Sequence, residues 1–334
     1  MIGAGFFAGI QAEAWSRLSA AEITAVADPL LDKAQEFATK WGIPQFYADV
    51  DQMLLQEKPD FVDIVTRPET HLQLVRQVAT HGCNIICQKP LAPTYAECEA
   101  MIATCQKSKV RLLVHENWRW QPWYREIQRL HTAKSLGRIF QLNFHVRTGD
   151  GWGKGAYTVQ PYFREMQRLL IYETLVHHID TTRFLAGEVV NLSCRTQRIN
   201  QQIVGEDCAT IQLSLQEGGQ ALIDANRING PVPAPLVFGT VELEAEHGAI
   251  RLDNEARLWL NIYGQGEQRH EYEWANQGYR GDSVYATQAH LIGSLLDGTP
   301  AETEADQYLK TVSLVEACYE SADDHRDLLM KPTI

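Results

Sequence analysis

The chain opens Met1-Ile2-Gly3-Ala4-Gly5-Phe6-Phe7-Ala8, a Gly-x-Gly-x-x-Ala motif running into a helical pattern that continues through Leu18. In a strand-turn-helix unit of this kind the first glycine makes the tight turn. The second lets a pyrophosphate approach the backbone, and a small third residue lets the helix pack on the strand. The helix start then offers phosphate its unpaired N–H groups and the positive end of a dipole. Working outward, Glu22–Ala27 reads as the next strand and ends in Asp28, about 20 residues on, where a carboxylate can bond the adenosine ribose hydroxyls. Gly3, Gly5, Phe6, Phe7, Ala8 and Asp28 are thus candidate cofactor contacts. A carboxylate repels a 2′-phosphate and no arginine follows in Pro29-Leu30-Leu31-Asp32, so NAD is expected rather than NADP; Lys33 is the nearby cation that could blur the choice. Asp28 could also cap a helix starting near Leu30. Only Met1 and Ile2 stand where the central strand of such a sheet should precede Gly3. Its loss would leave both neighbours without a pairing partner. The reading is therefore a truncated sequence or a start assigned too late.

Downstream the pattern alternates: a helix near Lys33–Trp41 stopped by Gly42, a strand at Phe61–Thr66, a helix at Thr70–His81 ended by Gly82, then Ile85–Cys87, a helix Tyr95–Ser108 and a strand Arg111–His115. Alternating strands and helices predict a parallel sheet with helices on both faces, and ligands in such sheets sit at the carboxyl ends of the strands. Those ends carry Thr66–His71, Gln88–Pro90 and Glu116–Arg119. In Asn84-Ile85-Ile86-Cys87-Gln88-Lys89-Pro90 an apolar strand delivers one amine to this edge, and the X-Pro bond can fix its direction.

At 334 residues the chain exceeds the usual limit for one core, so two domains are expected: a dinucleotide-binding domain over residues 1–117 and an α+β domain over 118–334. The formal charge of -12 argues against nucleic acid or an anionic membrane as partner. No apolar run is long enough for a membrane span. The seven cysteines form no Cys-x-x-Cys pair and fit reduced thiols, which suggests the cytoplasm. The eleven histidines are scattered without ligand spacing, so no metal is expected.

After His115 the pattern changes. Trp118-Arg119-Trp120-Gln121-Pro122-Trp123 concentrates three of the eight tryptophans in six residues. Aromatic faces for sugar C–H groups, with Asn117 and Arg119 for hydroxyls, would make a carbohydrate wall, of which Asn117, Trp118 and Arg119 are the candidate contacts; packing at the domain junction is the alternative. A strand at Phe140–Arg147 and a Gly- and aromatic-rich loop, Gly149–Tyr157, follow. Leu169–Leu185 reads as a helix that puts Glu173, His177 and Asp180 on one face at i, i+4 and i+7, with His178 turned about 100° away. Seven alternating segments (Leu192–Arg198, Cys208–Leu215, Gln220–Asn226, Thr240–Glu244, Ala249–Asp253, Leu258–Ile262 and His270–Trp274) predict a large open, mainly antiparallel sheet, whose broad face should be buried against another subunit in a homodimer or homotetramer. Helices at Ser283–Leu296 and Ala305–Asp323 close the chain.

With these pieces in place the chain resembles the glucose-fructose oxidoreductase/inositol dehydrogenase/rhizopine-catabolism (Gfo/Idh/MocA) family over essentially its whole length. Gly3, Gly5 and Ala8 match the family's dinucleotide loop. Thr66, Pro68 and His71 match a Thr-x-Pro-x-x-His stretch near the cofactor, with Arg67 in place of the usual Pro or Asn. Gln88-Lys89-Pro90 matches the Glu-Lys-Pro signature with Gln for Glu, and Glu173 and His177 match an Asp-x-x-x-His. Within the family, Cys87–Pro93, Val114–Gln121, Gln160–Glu165 and Gly205–Thr210 look similar to the branch that oxidises the pentose D-apiose. Glu173 is one methylene longer than the usual Asp, and Leu175 stands where glycine is common, so a reshaped pocket floor is expected. The resemblance implies an NAD-dependent dehydrogenase acting on a sugar or polyol, with Lys89, His177 and Glu173 catalytic. His177 would be the base and Lys89 the stabiliser of the developing oxyanion, or the reverse. A dinucleotide-sensing regulator and an NAD-dependent glycoside hydrolase are the alternative readings.

Overall fold

The structure, a computed structural model, describes residues 1–153, 155–158, 160–230 and 235–330, so residue 154 of the aromatic loop lies outside it. Two compact units emerge: Met1–Trp120 with Asn276–Val312, and Gln121–Ala275 with Ser313–Ile334. This differs from the single boundary expected after residue 117, because the chain returns to the first unit after finishing most of the second.

The first unit alternates as expected. Helix α1 (Phe6–Arg17) leads to β1 (Ala25–Ala27), α2 (Leu31–Trp41), β2 (Gln45–Tyr47), α3 (Val50–Glu57), β3 (Phe61–Ile64), α4 (Pro68–Thr80), β4 (Asn84–Gln88), α5 (Tyr95–Ser108) and β5 (Leu112–His115). β3, β4 and β5 pair in parallel, as do β1 and β2. The two groups are joined through Ile2, which forms parallel bridges to Ala27 and Ile64. Ile2 N donates to Asp63 O and Val65 N to Ile2 O, both at 2.8 Å, while Gly3 N donates to Ala27 O at 2.8 Å. Two or three residues thus do the pairing of a central strand. β2 and α3 were not expected; Gln45-Phe46-Tyr47 is short and mostly exposed, so it carries no apolar run. Asp49 begins α3 by accepting from Gln52 N. Below the sheet, α1 buries Ala8, Ala12 and Trp15 against Val26, Ile86 and Leu113.

The second unit contains α6 (Pro122–Ala133), β6 (Ile139–Arg147), α7 (Val176–Ala186), β7 (Val189–Gln197), β8 (Cys208–Leu215), β9 (Gln220–Asn226), β10 (Thr240–Ala245), β11 (Gly248–Leu252), β12 (Leu258–Ile262) and β13 (Gly266–His270). The chain then forms α8 (Ser283–Asp297), α9 (Ala305–Asp324) and β14 (Leu328–Leu329). Among the described residues one sheet runs β13-β12-β11-β10-β6-β9-β8-β7-β14, nine strands rather than seven, and all its pairs are antiparallel except β6 with β9. Along β6, β8 and β9 buried and more exposed residues alternate, so one face is packed and the other is open. The strand expected at His270–Trp274 lies four residues earlier, at Gly266–His270. Its alternation comes from docking on α6, where His270 Nε2 meets Glu126 Oε1 at 2.6 Å and Trp274 packs edge-on to Trp123.

Candidate active site

In the first unit the dinucleotide motif has the geometry its glycines suggest. Gly3 has φ +99°, and a Cβ there would lie 2.4 Å from Val65 O, so only glycine fits. Gly5 is the N-cap of α1 and supplies no side-chain cap, while a Cβ on it would meet no atom within 4 Å. The space beside Gly5 is open and no side chain caps the start of α1, which suits the pyrophosphate of a dinucleotide. Ala8 is fully buried beneath, Phe6 is exposed, and Phe7 packs edge-on to Tyr279 at 5.6 Å. Asp28 closes this region: its Oδ2 accepts from Ala4 N at 3.1 Å and Lys33 Nζ at 3.2 Å, and its Oδ1 from Leu30 N at 3.1 Å. The N-cap of α2 is Leu30 and receives no side-chain cap, so Asp28 braces the turn before the helix rather than capping it.

Thr66, at the carboxyl end of β3, shares a hydroxyl contact of 2.7 Å with Thr70 in the first turn of α4, whose N-terminal residue is Pro68. His71 is fully enclosed, with Nδ1 2.9 Å from Leu91 O and Nε2 3.2 Å from Thr66 O. Burial pushes its pKa down. It ties the loop after β3 to the loop after β4. Gln88 is also buried, its amide donating to Gln11 Oε1 at 2.9 Å and accepting from Lys89 N at 3.1 Å. Gln11 passes the chain to Asp63, which also takes Trp15 Nε1. A glutamine replaces a carboxylate here without adding a second charge beside Asp63. Lys89 leaves β4 half-buried through a cis bond to the buried Pro90.

Sequence reasoning placed Glu116 at a strand end without giving it a role. It is fully buried, accepting Trp118 N at 2.9 Å and the Tyr308 hydroxyl at 3.0 Å. Desolvation raises its pKa, opposed by these bonds and by the positive charges of Lys89 and Arg119. A carboxylate enclosed beside Lys89 is the main electrostatic feature of this edge. The candidate sugar wall is built differently from the expectation. Asn117 Nδ2 donates to Ser283 Oγ at 2.9 Å, Arg119 lies 3.7 Å from Glu302 Oε2, and the Arg280 guanidinium lies over Trp118 at 5.7 Å. All three wall residues are buried against residues of the returning segment, so the packing alternative describes them.

In the second unit, Glu173 and His177 do not lie on one uniform α-helix. Leu170–Leu175 forms a π-helical segment that passes into α7 at Val176. With about 4.4 residues per turn in place of 3.6, positions four apart still share a face, and such segments favour functional sites. His177 is 4% exposed and Asp180 fully buried. Glu173 Oε2 accepts from the Thr174 hydroxyl at 2.7 Å and lies 3.6 Å from Arg227 Nη1. Neither Arg227 nor its partner Asp150 was singled out in the sequence. Among the described residues no group of three His, Cys, Asp or Glu could hold a metal ion.

Comparison with known proteins places the chain in a family. Residues 1–116 match the oxidoreductase family with NAD-binding Rossmann fold, and residues 124–251 match the GFO/IDH/MocA C-terminal domain. D-apiose dehydrogenase from Rhizobium rhizogenes is 33% identical over 334 residues, spanning 98% of this chain and 95% of its own. The chain belongs to the Gfo/Idh/MocA oxidoreductase family. D-apiose dehydrogenase from Paraburkholderia graminis is also 33% identical, over 99% of this chain and 89% of its own. An oxidoreductase from Agrobacterium radiobacter, solved with NAD+, L-tartaric acid and magnesium, superposes with a TM-score of 0.90 at 32% identity, covering 98% of this chain and 96% of that one. As a Gfo/Idh/MocA member the chain is an NAD-dependent oxidoreductase acting on CH–OH groups, with a Rossmann domain followed by a mostly antiparallel sheet domain.

Proposed function

We propose that this family member oxidises a free sugar or polyol, with D-apiose the leading candidate. The observation that carries the reading is the full-length identity of 33% to two D-apiose dehydrogenases. Bound NAD would supply the hydride acceptor, held by Gly3, Gly5 and Asp28. Lys89 donates a hydrogen bond to the oxygen on the reacting carbon and stabilises the negative charge that develops there. His177 takes the hydroxyl proton, since imidazole has an ordinary pKa close to working pH. Glu173 orients that imidazole, and Asn117, Trp118 and Arg119 support the sugar site from behind. Its test is NADH formation across free pentoses, hexoses and inositols, D-apiose included. One strong responder fixes the substrate; silence with NAD still bound would favour a sensor, or a glycosidic substrate turned over without net NADH. Lys89→Met should lower turnover by about 10²- to 10⁴-fold and leave NAD binding intact. Near-normal turnover would sink the assignment.

The open face of the nine-stranded sheet suits a second copy of the chain. It carries both signs of charge, Arg147 and Arg251 beside Asp224, Glu242 and Glu244, so a two-fold pairing can match them. Sedimentation should show a dimer or tetramer; a monomer at micromolar concentration would refute it. Six of the seven cysteines are buried and none is in a disulfide, and among the described residues no helix is long and apolar enough to cross a membrane; the reduced thiols support a cytoplasmic enzyme.

A further inference from the structure

Arg227 follows directly on β9 and is only 2% exposed, so a full positive charge is enclosed within the second unit. Burying a charge is costly unless it is paired and hydrogen-bonded. Three parts of the chain converge to do this. Nε and Nη2 lie 3.3 and 2.5 Å from the two carboxylate oxygens of Asp150, in the loop after β6. The Tyr157 and Phe163 rings lie over the guanidinium at 5.0 and 4.9 Å. The remaining nitrogen, Nη1, donates to Thr174 Oγ1 at 2.7 Å, and the Thr174 hydroxyl donates to Glu173 Oε2 at 2.7 Å. A hydroxyl has one proton to give and lone pairs to accept with, so this relay has a fixed direction, from Arg227 through Thr174 to Glu173. It ends on the carboxylate one turn before His177, at the π-helical segment.

The geometry points to Arg227, acting through the Thr174 hydroxyl, as the positioning residue that fixes the Glu173 carboxylate for its work on His177. This rests on the roles given above to Glu173 and His177. A flexible glutamate, one methylene longer than aspartate, needs such an anchor: the Thr174 hydroxyl, itself held by Arg227 Nη1, and the Nη1 charge 3.6 Å away disfavour its other rotamers.

Thr174→Val is close to isosteric and removes the relay while leaving Arg227 and Asp150 in place. With D-apiose and NAD, its kcat should fall about tenfold, as expected for losing a hydrogen bond to a charged group. NAD dissociation should be unchanged, and Thr174→Ser should restore most of the loss. In a Glu173→Gln background the same Thr174→Val change should alter kcat less than about twofold, because the carboxylate it acts on is gone. Arg227→Lys, which keeps the charge and loses the fork, should show the same dependence on Glu173 and serves if the valine variant folds poorly. Equal losses in both backgrounds, or a Thr174→Val enzyme as fast as wild type, would overturn the proposal. Wild-type kcat in Glu173→Gln, or no D-apiose oxidation by the unaltered chain, would instead remove the reading on which it rests, and the proposal with it.

Discussion

His115 ends β5 with its imidazole fully enclosed, and neither ring nitrogen has a hydrogen-bond partner among the described residues. Burial pushes its pKa down to about 4, opposed by its own backbone and then by the neighbouring Glu116 charge. The unfolded chain binds a proton at this residue below about 6.5, whereas the folded chain does so only below about 4. Between those values unfolding takes up a proton, so stability is lost as pH falls through the window, by about 3 kcal/mol over its full width. His115→Leu should remove that component, and the fall in unfolding free energy between pH 7 and pH 4.5 should shrink accordingly. An equal fall in both proteins would show that His115 is not the source. At this scale the sequence was informative where chemistry needs a scarce residue type. Only glycine tolerates the backbone of Gly3, and Lys89-Pro90 closes an apolar strand. It placed Glu116 at a strand end but not its burial, and was blind to Arg227, because charged residues are almost always exposed and nothing local marks the exceptions.

Among the elements, those with a strong period were legible and those shaped by distant partners were not. β8, β9 and β12 fall where alternation puts them. The π-helical segment at Leu170–Leu175 left no trace, since its residues also make a good α-helix and the extra width is imposed by surroundings such as Glu206, which accepts from Leu169 N and Ile171 N. His270–Trp274 imitated a strand because alternate side chains dock on α6. The expected tryptophan-rich sugar wall met a similar fate. Its composition was read correctly as something that covers a surface, but the surface is protein, supplied by a segment more than 150 residues away in sequence, as Asn117 with Ser283 shows.

At the scale of the whole molecule, the first unit is assembled from two stretches of chain. Arg111 at the start of β5 donates to Ser294 O at 2.8 Å and pairs with Glu304, Tyr308 satisfies Glu116, and Leu291 and Ile292 complete the core beneath α1. Residues 1–120 alone should therefore fail to fold. A chain joining residues 1–120 directly to 276–312 should fold and bind NAD; circular dichroism and NAD titration decide it, and a stable, NAD-binding 1–120 fragment would refute the argument. The interleaving also bears on synthesis. Because both units recruit residues from beyond position 275, neither can close while the ribosome is still making the large sheet. The dinucleotide domain, first to emerge, must wait for its final helices, its apolar underside exposed to chaperones or to neighbouring nascent chains for most of the time translation takes.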